Sequence, residues 1–171
     1  MSAESIQIVE YNPSWPAMFA AEVEFLLSIV GEYLCGTIEH VGSTAVPGLS
    51  AKPVVDIMLG VQSLAGSKGA INVLMAKGYC YYPYKADVMH WFCKPTPEVR
   101  THHLHLVPFQ SDLWFERLTF RDCLRKNLAI ATQYANLKQT LAGQCKDDRE
   151  RYTQGKERFI YRVLASLAGK A

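Results

Sequence analysis

Apolar residues recur along this chain at two spacings, and the switches between them mark its elements. Met18, Phe19, Val23, Leu26, Leu27 and Val30 fall three or four apart, the spacing of one side of a helix. Ser14 reads as the N-cap of that helix, Pro16 lies in its first turn, and Gly31 ends or kinks it. Ahead of it, Ile6, Ile8 and Val9 form a short extended segment closed by Tyr11-Asn12-Pro13. Alternation and β-branched runs then take over. Gly36 to Val41 and Val54 to Val61 read as strands, and Ser63 to Lys77 as a helix stopped by Gly78. Tyr79 to Tyr84, Met89 to Lys94 and Thr101 to Val107 are three further strands, with Pro95-Thr96-Pro97 as a turn. From Asp112 the helical spacing returns. Leu113 to Lys126 is one helix, and Ile130 to Leu141 is a second, with Tyr134, Leu137 and Leu141 on one face. A third follows a cap at Asp147-Asp148, with Tyr152, Phe159, Ile160, Val163, Leu164 and Leu167 as its apolar positions. The order predicts one α/β (α+β) domain over 1–171, a mixed-sheet core over about 1–110 and a helical portion over about 111–171.

The composition narrows the classes of partner. At 171 residues the chain is long enough to bury one ordinary core. A net charge of +2 makes no electrostatic case for a nucleic acid or an anionic membrane. The five cysteines are scattered, odd in number and without CxxC spacing, so reduced thiols are expected rather than disulfides or structural zinc. Met1 to Glu10 carries acids and no apolar run of signal-peptide length, and no segment reaches membrane-spanning length. These features predict a cytoplasmic protein.

The chemistry concentrates between His40 and Leu59. A strand-like run stops at Gly42-Ser43, a Gly- and Pro-punctuated segment follows, and the next strand carries Asp56 among branched apolar neighbours. Glycine lets the backbone approach a ligand, and free N–H groups with the hydroxyls of Ser43 and Thr44 can hold phosphate oxygens. Val55, Ile57 and Leu59 form a wholly apolar face that should meet the core, which turns Asp56 to the other face with Val54 and Met58. An unpaired carboxylate is costly to bury. Either Asp56 belongs to a site, or it pairs with Lys52 or Arg100.

This stretch resembles the nucleotidyltransferase superfamily, whose motif runs hydrophobic, Gly, then Gly or Ser, a gap, and then acid–hydrophobic–acid–hydrophobic. Gly42, Ser43, Asp56, Ile57 and Leu59 match, and Met58 stands where the second acid would be. The resemblance sharpens to the GrpB family of that fold. It runs through Val9 to Pro16, Ile38 to Leu49, Lys52 to Ile57, and His103-Leu104-His105-Leu106. It continues through Phe120-Arg121-Asp122, Leu124-Arg125, Tyr134, Leu137-Lys138, Asp148-Arg149-Glu150, Tyr152-Thr153 and Lys156. Some relatives are fused to dephospho-coenzyme A kinase, which implies a nucleotide or coenzyme A context and a functional link to that enzyme. In the superfamily the catalytic metals sit on both motif acids, so the resemblance with Met58 implies ligand binding with weak or absent Mg²⁺-dependent nucleotidyl transfer.

Further candidates flank the motif. Alternation puts His103 and His105 on one face, and their strand is a natural neighbour for that of Asp56. Together the three can hold a divalent metal (Mg²⁺, Mn²⁺ or, given imidazole, Zn²⁺), or the histidines can bond a phosphate or substrate. Glu39 either pairs with Lys52 or adds a carboxylate to the metal set, and His40 orients the loop as a hydrogen-bonded structural residue. Lys52, kept extended by Pro53, and Arg100 suit phosphate contacts. Arg149, Tyr152, Thr153 and Lys156 share a helical stripe that either closes over a bound ligand or pairs with Glu150 and Glu157 at the surface. Trp15, Trp91 and Trp114 read as core or pocket walls. The leading expectation is a protein binding a nucleotide or other phosphate-bearing small molecule. The alternatives are an active metal-dependent nucleotidyltransferase and a metal-dependent hydrolase built on Asp56, His103 and His105.

Overall fold

A computed structural model of the chain describes residues 6–145 and 148–169. Helix α1 (Trp15–Val30) leads through a short 3₁₀ turn into strands β1 (Leu34–Val41) and β2 (Val55–Val61). Helix α2 (Lys68–Ala76) crosses to the meander β3 (Cys80–Tyr82), β4 (His90–Pro95) and β5 (Arg100–Pro108). Three helices follow, α3 (Asp112–Lys126), α4 (Leu128–Gln144) and α5 (Arg149–Ala168). The strands form one five-stranded sheet in the order β1-β2-β5-β4-β3, in which β2 and β5 run parallel and the other neighbours antiparallel. The result is the expected mixed α/β architecture. Among the described residues no helix is long and apolar enough to cross a membrane.

Side-chain parity decides what each face of the sheet carries. Val55, Ile57 and Leu59 of β2, with Leu104 and Leu106 of β5, bury against α1 and α2 through Leu26, Val30, Ala70 and Leu74. The opposite face carries Val41, Met58, Trp91 and Cys93, covered from α3 by Trp114. A second apolar centre joins Phe120 of α3, Tyr134 of α4, and Phe159 and Val163 of α5 to Val46 and Leu49 of the β1–β2 loop. The helical portion therefore packs on that loop, and it is the loop that carries the motif.

Several elements differ from the sequence expectations in extent. Ser14 occupies the N-cap position of α1 without capping it; its backbone is already helical, and Asn12 Oδ1 accepts from the Ser14 N–H at 2.9 Å instead. Ile6 to Val9 contributes one bridge, Val9 with Ala51, rather than a strand. The helix expected from Ser63 starts at Lys68, because Ser63 and Ser67 close a turn in which Ser67 Oγ donates to the Ser63 carbonyl at 2.8 Å. Strand β3 stops at Tyr82, since Pro83 has no N–H for the ladder. Asp148 caps α5 by accepting from Arg151 N–H at 2.9 Å, while Asp147 lies outside the described residues.

Candidate functional site

Two rows of residues cross the sheet side by side on the α3 face. One is Val41, Asp56, His103, Cys93 and Cys80. The next is Glu39, Met58, His105, Trp91 and Tyr82. The parallel pairing of β2 with β5 sets Asp56 directly beside His103. His103 Nδ1 lies 3.0 Å and His105 Nε2 3.5 Å from the same oxygen, Asp56 Oδ1. One ligand atom from each residue falls within 4.8 Å of the others. Tetrahedral ligands about 2.1 Å from a metal are about 3.4 Å apart, so these separations suit one ion.

Burial acts to raise the Asp56 carboxyl, but its hydrogen bonds to His103 and His105 outweigh it and hold it well below the usual carboxylate range. His105 is pushed down to about 4, by burial first and Arg117 next. At neutral pH the cluster thus presents a carboxylate and a neutral His105, the protonation states a metal needs. The imidazole–carboxylate contact also gives Asp56 a partner without Lys52 or Arg100.

Gly42 closes against this carboxylate. Its φ is +71°, and a methyl group there would lie 2.5 Å from Asp56 Oδ2. The hydroxyls that follow have different partners. Thr44 is buried, with its Oγ1 2.9 Å from His40 Nε2, while the His40 ring stacks on Phe19. That leaves Thr44 holding the loop's shape. Ser43 remains half-buried beside exposed Gly42 and accepts a hydrogen bond at 2.9 Å from Lys138 Nζ. Lys138 also donates to the Ser50 carbonyl, so a single buried amine ties both ends of the loop.

Cations gather around the cluster. Lys52 Nζ lies 5.3 Å from the Tyr152 ring centroid, and Lys156 Nζ 4.5 Å from the same ring. The Arg100 guanidinium lies over Trp91 at 5.2 Å, and its Nε donates to the Pro97 carbonyl. Arg149 donates to the carbonyls of Pro97 and Glu98 at 2.9 and 3.0 Å, which ties the start of α5 to the β4–β5 turn. Arg117 of α3 reaches Met89 Sδ at 3.9 Å, and its Nε is buried without a partner. Burial, with Lys156 and Arg149 adding, pushes Lys52 down to about 8. Burial with Lys156 takes Lys138 down to about 7, and burial lowers Lys156 and Arg117 as well. A recess of about 90 Å³ opens here, with Lys52, Arg100, His103 and Arg149 in its walls. That is far below the ~300 Å³ of a pocket that encloses a drug-sized ligand, so only a head group fits inside.

Glu39 is not brought to the cluster. It stands opposite Met58, with Oε2 held by Arg121 Nη1 at 2.7 Å and Oε1 accepting from Thr37 at 2.9 Å. Its partner is therefore Arg121 rather than Lys52. Met58, in the place of the second acid, is fully buried among Val41, Trp91 and Trp114. Tyr152 is buried with Ile6 and Cys145, so it offers its ring to the two lysines while its surroundings are core-like. Lys138 and Arg117 were missed as site residues, although Lys138 lies inside a family-like block. Neither stands in a motif with the strand residues. Only the phase of α3 and α4 against the sheet aims them inward.

The fold and site together define a class: a mixed α/β protein whose cleft gathers cations around one carboxylate and two imidazoles. The family model described as GrpB protein matches residues 5–166, and the chain belongs to the GrpB family. It is 37% identical over 166 residues to a UPF0157 protein of Pseudomonas aeruginosa, covering 94% of this chain and 67% of that one. It is similar to the crystal structure of the conserved protein GrpB from Enterococcus faecalis, with a TM-score of 0.85 at 33% identity over 96% of this chain and 98% of the other. A stretch of 77 residues is 38% identical to part of a dephospho-CoA kinase of Mycolicibacterium paratuberculosis, 43% of this chain and 19% of that protein.

Proposed function

We propose that this chain binds a phosphate-bearing small molecule, a nucleotide or nucleotide-like compound, against the Asp56 face of the sheet. The observation that carries this reading is electrostatic. Among the described residues, none of Lys52, Arg100, Arg117, Lys138, Arg149 and Lys156 is in ion-pair range of a carboxylate. Lys138 is buried and the other five are half-buried, and partly desolvated cations without counter-charges favour an anion that brings the charge with it. The recess admits a phosphate-sized head group, and the rest of the ligand lies outside.

A divalent metal fits the same face. Asp56, His103 and His105 would hold it, with a donor set that favours Zn²⁺, Ni²⁺ or Fe²⁺ over Mg²⁺. When bound, such an ion would act as a Lewis acid toward a phosphate oxygen. The apolar packing of Met58 supports a single-metal site and argues against two-metal nucleotidyl transfer. The same donor set, which would supply Lewis-acid chemistry with a metal bound, supports a second reading, hydrolysis of a phosphate-bearing substrate. The partial likeness to a dephospho-CoA kinase is the reason for including coenzyme A precursors among the ligands tried. Five free cysteines suit a reducing compartment, and we assign the protein to the cytoplasm.

The test is thermal unfolding with phosphate, nucleoside mono-, di- and triphosphates and coenzyme A precursors, with and without Mg²⁺, Mn²⁺ or Zn²⁺. A ligand at a hundred times its Kd adds about 2.7 kcal/mol. That corresponds to a rise of roughly 5–11 °C for a chain of this size. Lys52→Ala and Lys156→Ala should both reduce the rise. No shift with any phosphate compound would sink this reading.

A further inference from the structure

Lys138 and Ser43 make up a pair that ligand holding alone does not account for. Lys138 is only 2% exposed, and its Nζ touches two neutral oxygens, Ser43 Oγ at 2.9 Å and the Ser50 carbonyl. The groups facing it are Lys156 from α5 and the Tyr134 ring, 5.0 Å away on its own helix. Among the described residues no carboxylate lies in ion-pair range of Lys138. An amine desolvated in this way, with another cation near it, loses its proton readily. Ser43 follows Gly42, whose φ of +71° turns the chain sharply out of β1. The residue is half-buried beside exposed Gly42, which keeps an approach from solvent.

We propose that Ser43 is a nucleophile and Lys138 its general base, so that the bound phosphate compound transfers a phosphoryl or nucleotidyl group to Ser43 Oγ. Serine–lysine pairs activate a serine nucleophile for acyl transfer on unrelated folds, and the same activation serves attack on phosphorus. The neutral Lys138 amine takes the Ser43 hydroxyl proton across the 2.9 Å contact. The Oγ–phosphorus bond forms as the bond from phosphorus to the leaving oxygen breaks, and that oxygen takes the proton back from Lys138. Water then attacks the serine phosphoester. It gives its proton to Lys138, and Ser43 leaves with a proton returned. The ordinary pKa of a lysine forbids this at neutral pH, but burial has brought Lys138 to about 7. The inference rests on the phosphate-ligand reading for its substrate, though not for the reactivity of Ser43.

The experiment is covalent labelling of the full chain, read by intact mass and peptide mapping. Two probes are used: a fluorophosphonate, which needs only an activated serine, and nucleoside triphosphates labelled at the α or γ phosphorus. Wild type should acquire label at Ser43, at a rate that rises with pH through an apparent pKa near 7. Lys138→Met should slow labelling by about 10²–10⁴-fold, the range for a lost general base. Ser43→Ala should abolish labelling by both probes. If Lys138→Met does not fold, the pH profile of wild type carries the test. Fluorophosphonate labelling without nucleotide binding upholds the pair and overturns the phosphate-ligand reading. Nucleotide binding with no label on Ser43 from either probe overturns the pair, as does a rate independent of pH or equal in Lys138→Met; Lys138 is then a structural anchor of the loop.

Discussion

Replacing Gly42 by alanine tests whether the loop and the Asp56 cluster are one mechanical unit. Gly42 and Gly48 both have left-handed backbones, with φ of +71° and +77°. At Gly48 an added methyl meets nothing within 4 Å, whereas at Gly42 it falls 2.5 Å from Asp56 Oδ2. Gly48→Ala therefore carries the backbone strain alone, about 1–3 kcal/mol. Gly42→Ala adds a collision that moves the carboxylate about 1 Å to reach ordinary contact distance. That breaks the 3.0 Å contact with His103. Losing a hydrogen bond to a charged group costs a further ~1.5–3 kcal/mol. At roughly 3 °C per kcal/mol for a chain of this length, Gly48→Ala should melt about 3–9 °C early. By the same conversion, Gly42→Ala should melt roughly 8–18 °C early. Both variants are compared with wild type by calorimetry, and Zn²⁺ titration follows the cluster itself. Equal losses in the two variants, or wild-type Zn²⁺ affinity in Gly42→Ala, would refute the coupling.

Three shorter predictions concern the same face. Folded Lys138 titrates near 7 and an unfolded lysine near 10.5, so between those values the unfolded chain binds the extra proton and stability rises with pH. Lys138→Met should flatten that rise when urea midpoints are compared at pH 6.5 and 9. Met58→Asp places an unpaired carboxylate in a fully buried apolar setting. It should cost about 3–5 kcal/mol in urea unfolding, with no gain in Mg²⁺ affinity; stable folding with tighter Mg²⁺ binding would show that the space does accept a second acid. Arg121→Ala removes the contacts to Glu39 and the His40 carbonyl at 2.7 and 3.1 Å, a loss of ~1.5–3 kcal/mol in chemical denaturation. Adding Glu39→Gln should recover part of it, because the stranded carboxylate goes with it.

What was legible in the sequence was whatever a strand's period of two encodes. The apolar triplet Val55, Ile57 and Leu59 put Asp56 on the opposite face, and the alternation around His103 and His105 put both on one side. The adjacency of the two strands was expected from the tendency of successive strands to pair, yet β3 and β4 lie between them in the chain, so the pairing is observed without that reason accounting for it. The family followed from long specific blocks, and the match over residues 5–166 bears it out. Glu39 was harder, because its pairing with Arg121 spans 82 residues and depends on where α3 crosses β1. Lys138 and Arg117 sit on helices whose rotation about their axes is set by Phe120, Tyr134 and Trp114 packing inward. A periodicity identifies the buried side of a helix, but it does not reveal which polar residue at the edge of that side meets a loop from elsewhere. Strand ends failed for local reasons, such as Pro83 after Tyr82.

The parallel seam between β2 and β5 has a consequence for how this molecule comes together. Strands β3, β4 and β5 form an antiparallel meander, and β1 with β2 forms another antiparallel pair; each is able to close through local loops. The two halves meet only along β2 and β5, which residues 62–99 separate in the chain. Contacts between distant segments form late and slowly, because the loop must be ordered before they reward it. Asp56 stands on one bank of that seam, and His103 and His105 on the other. The donor trio is thus absent from any intermediate whose halves are still apart. A cation held by the three would rivet the slowest-closing joint in the sheet. Its effect would appear in the rate at which the finished protein comes apart, with little change in the rate at which it forms.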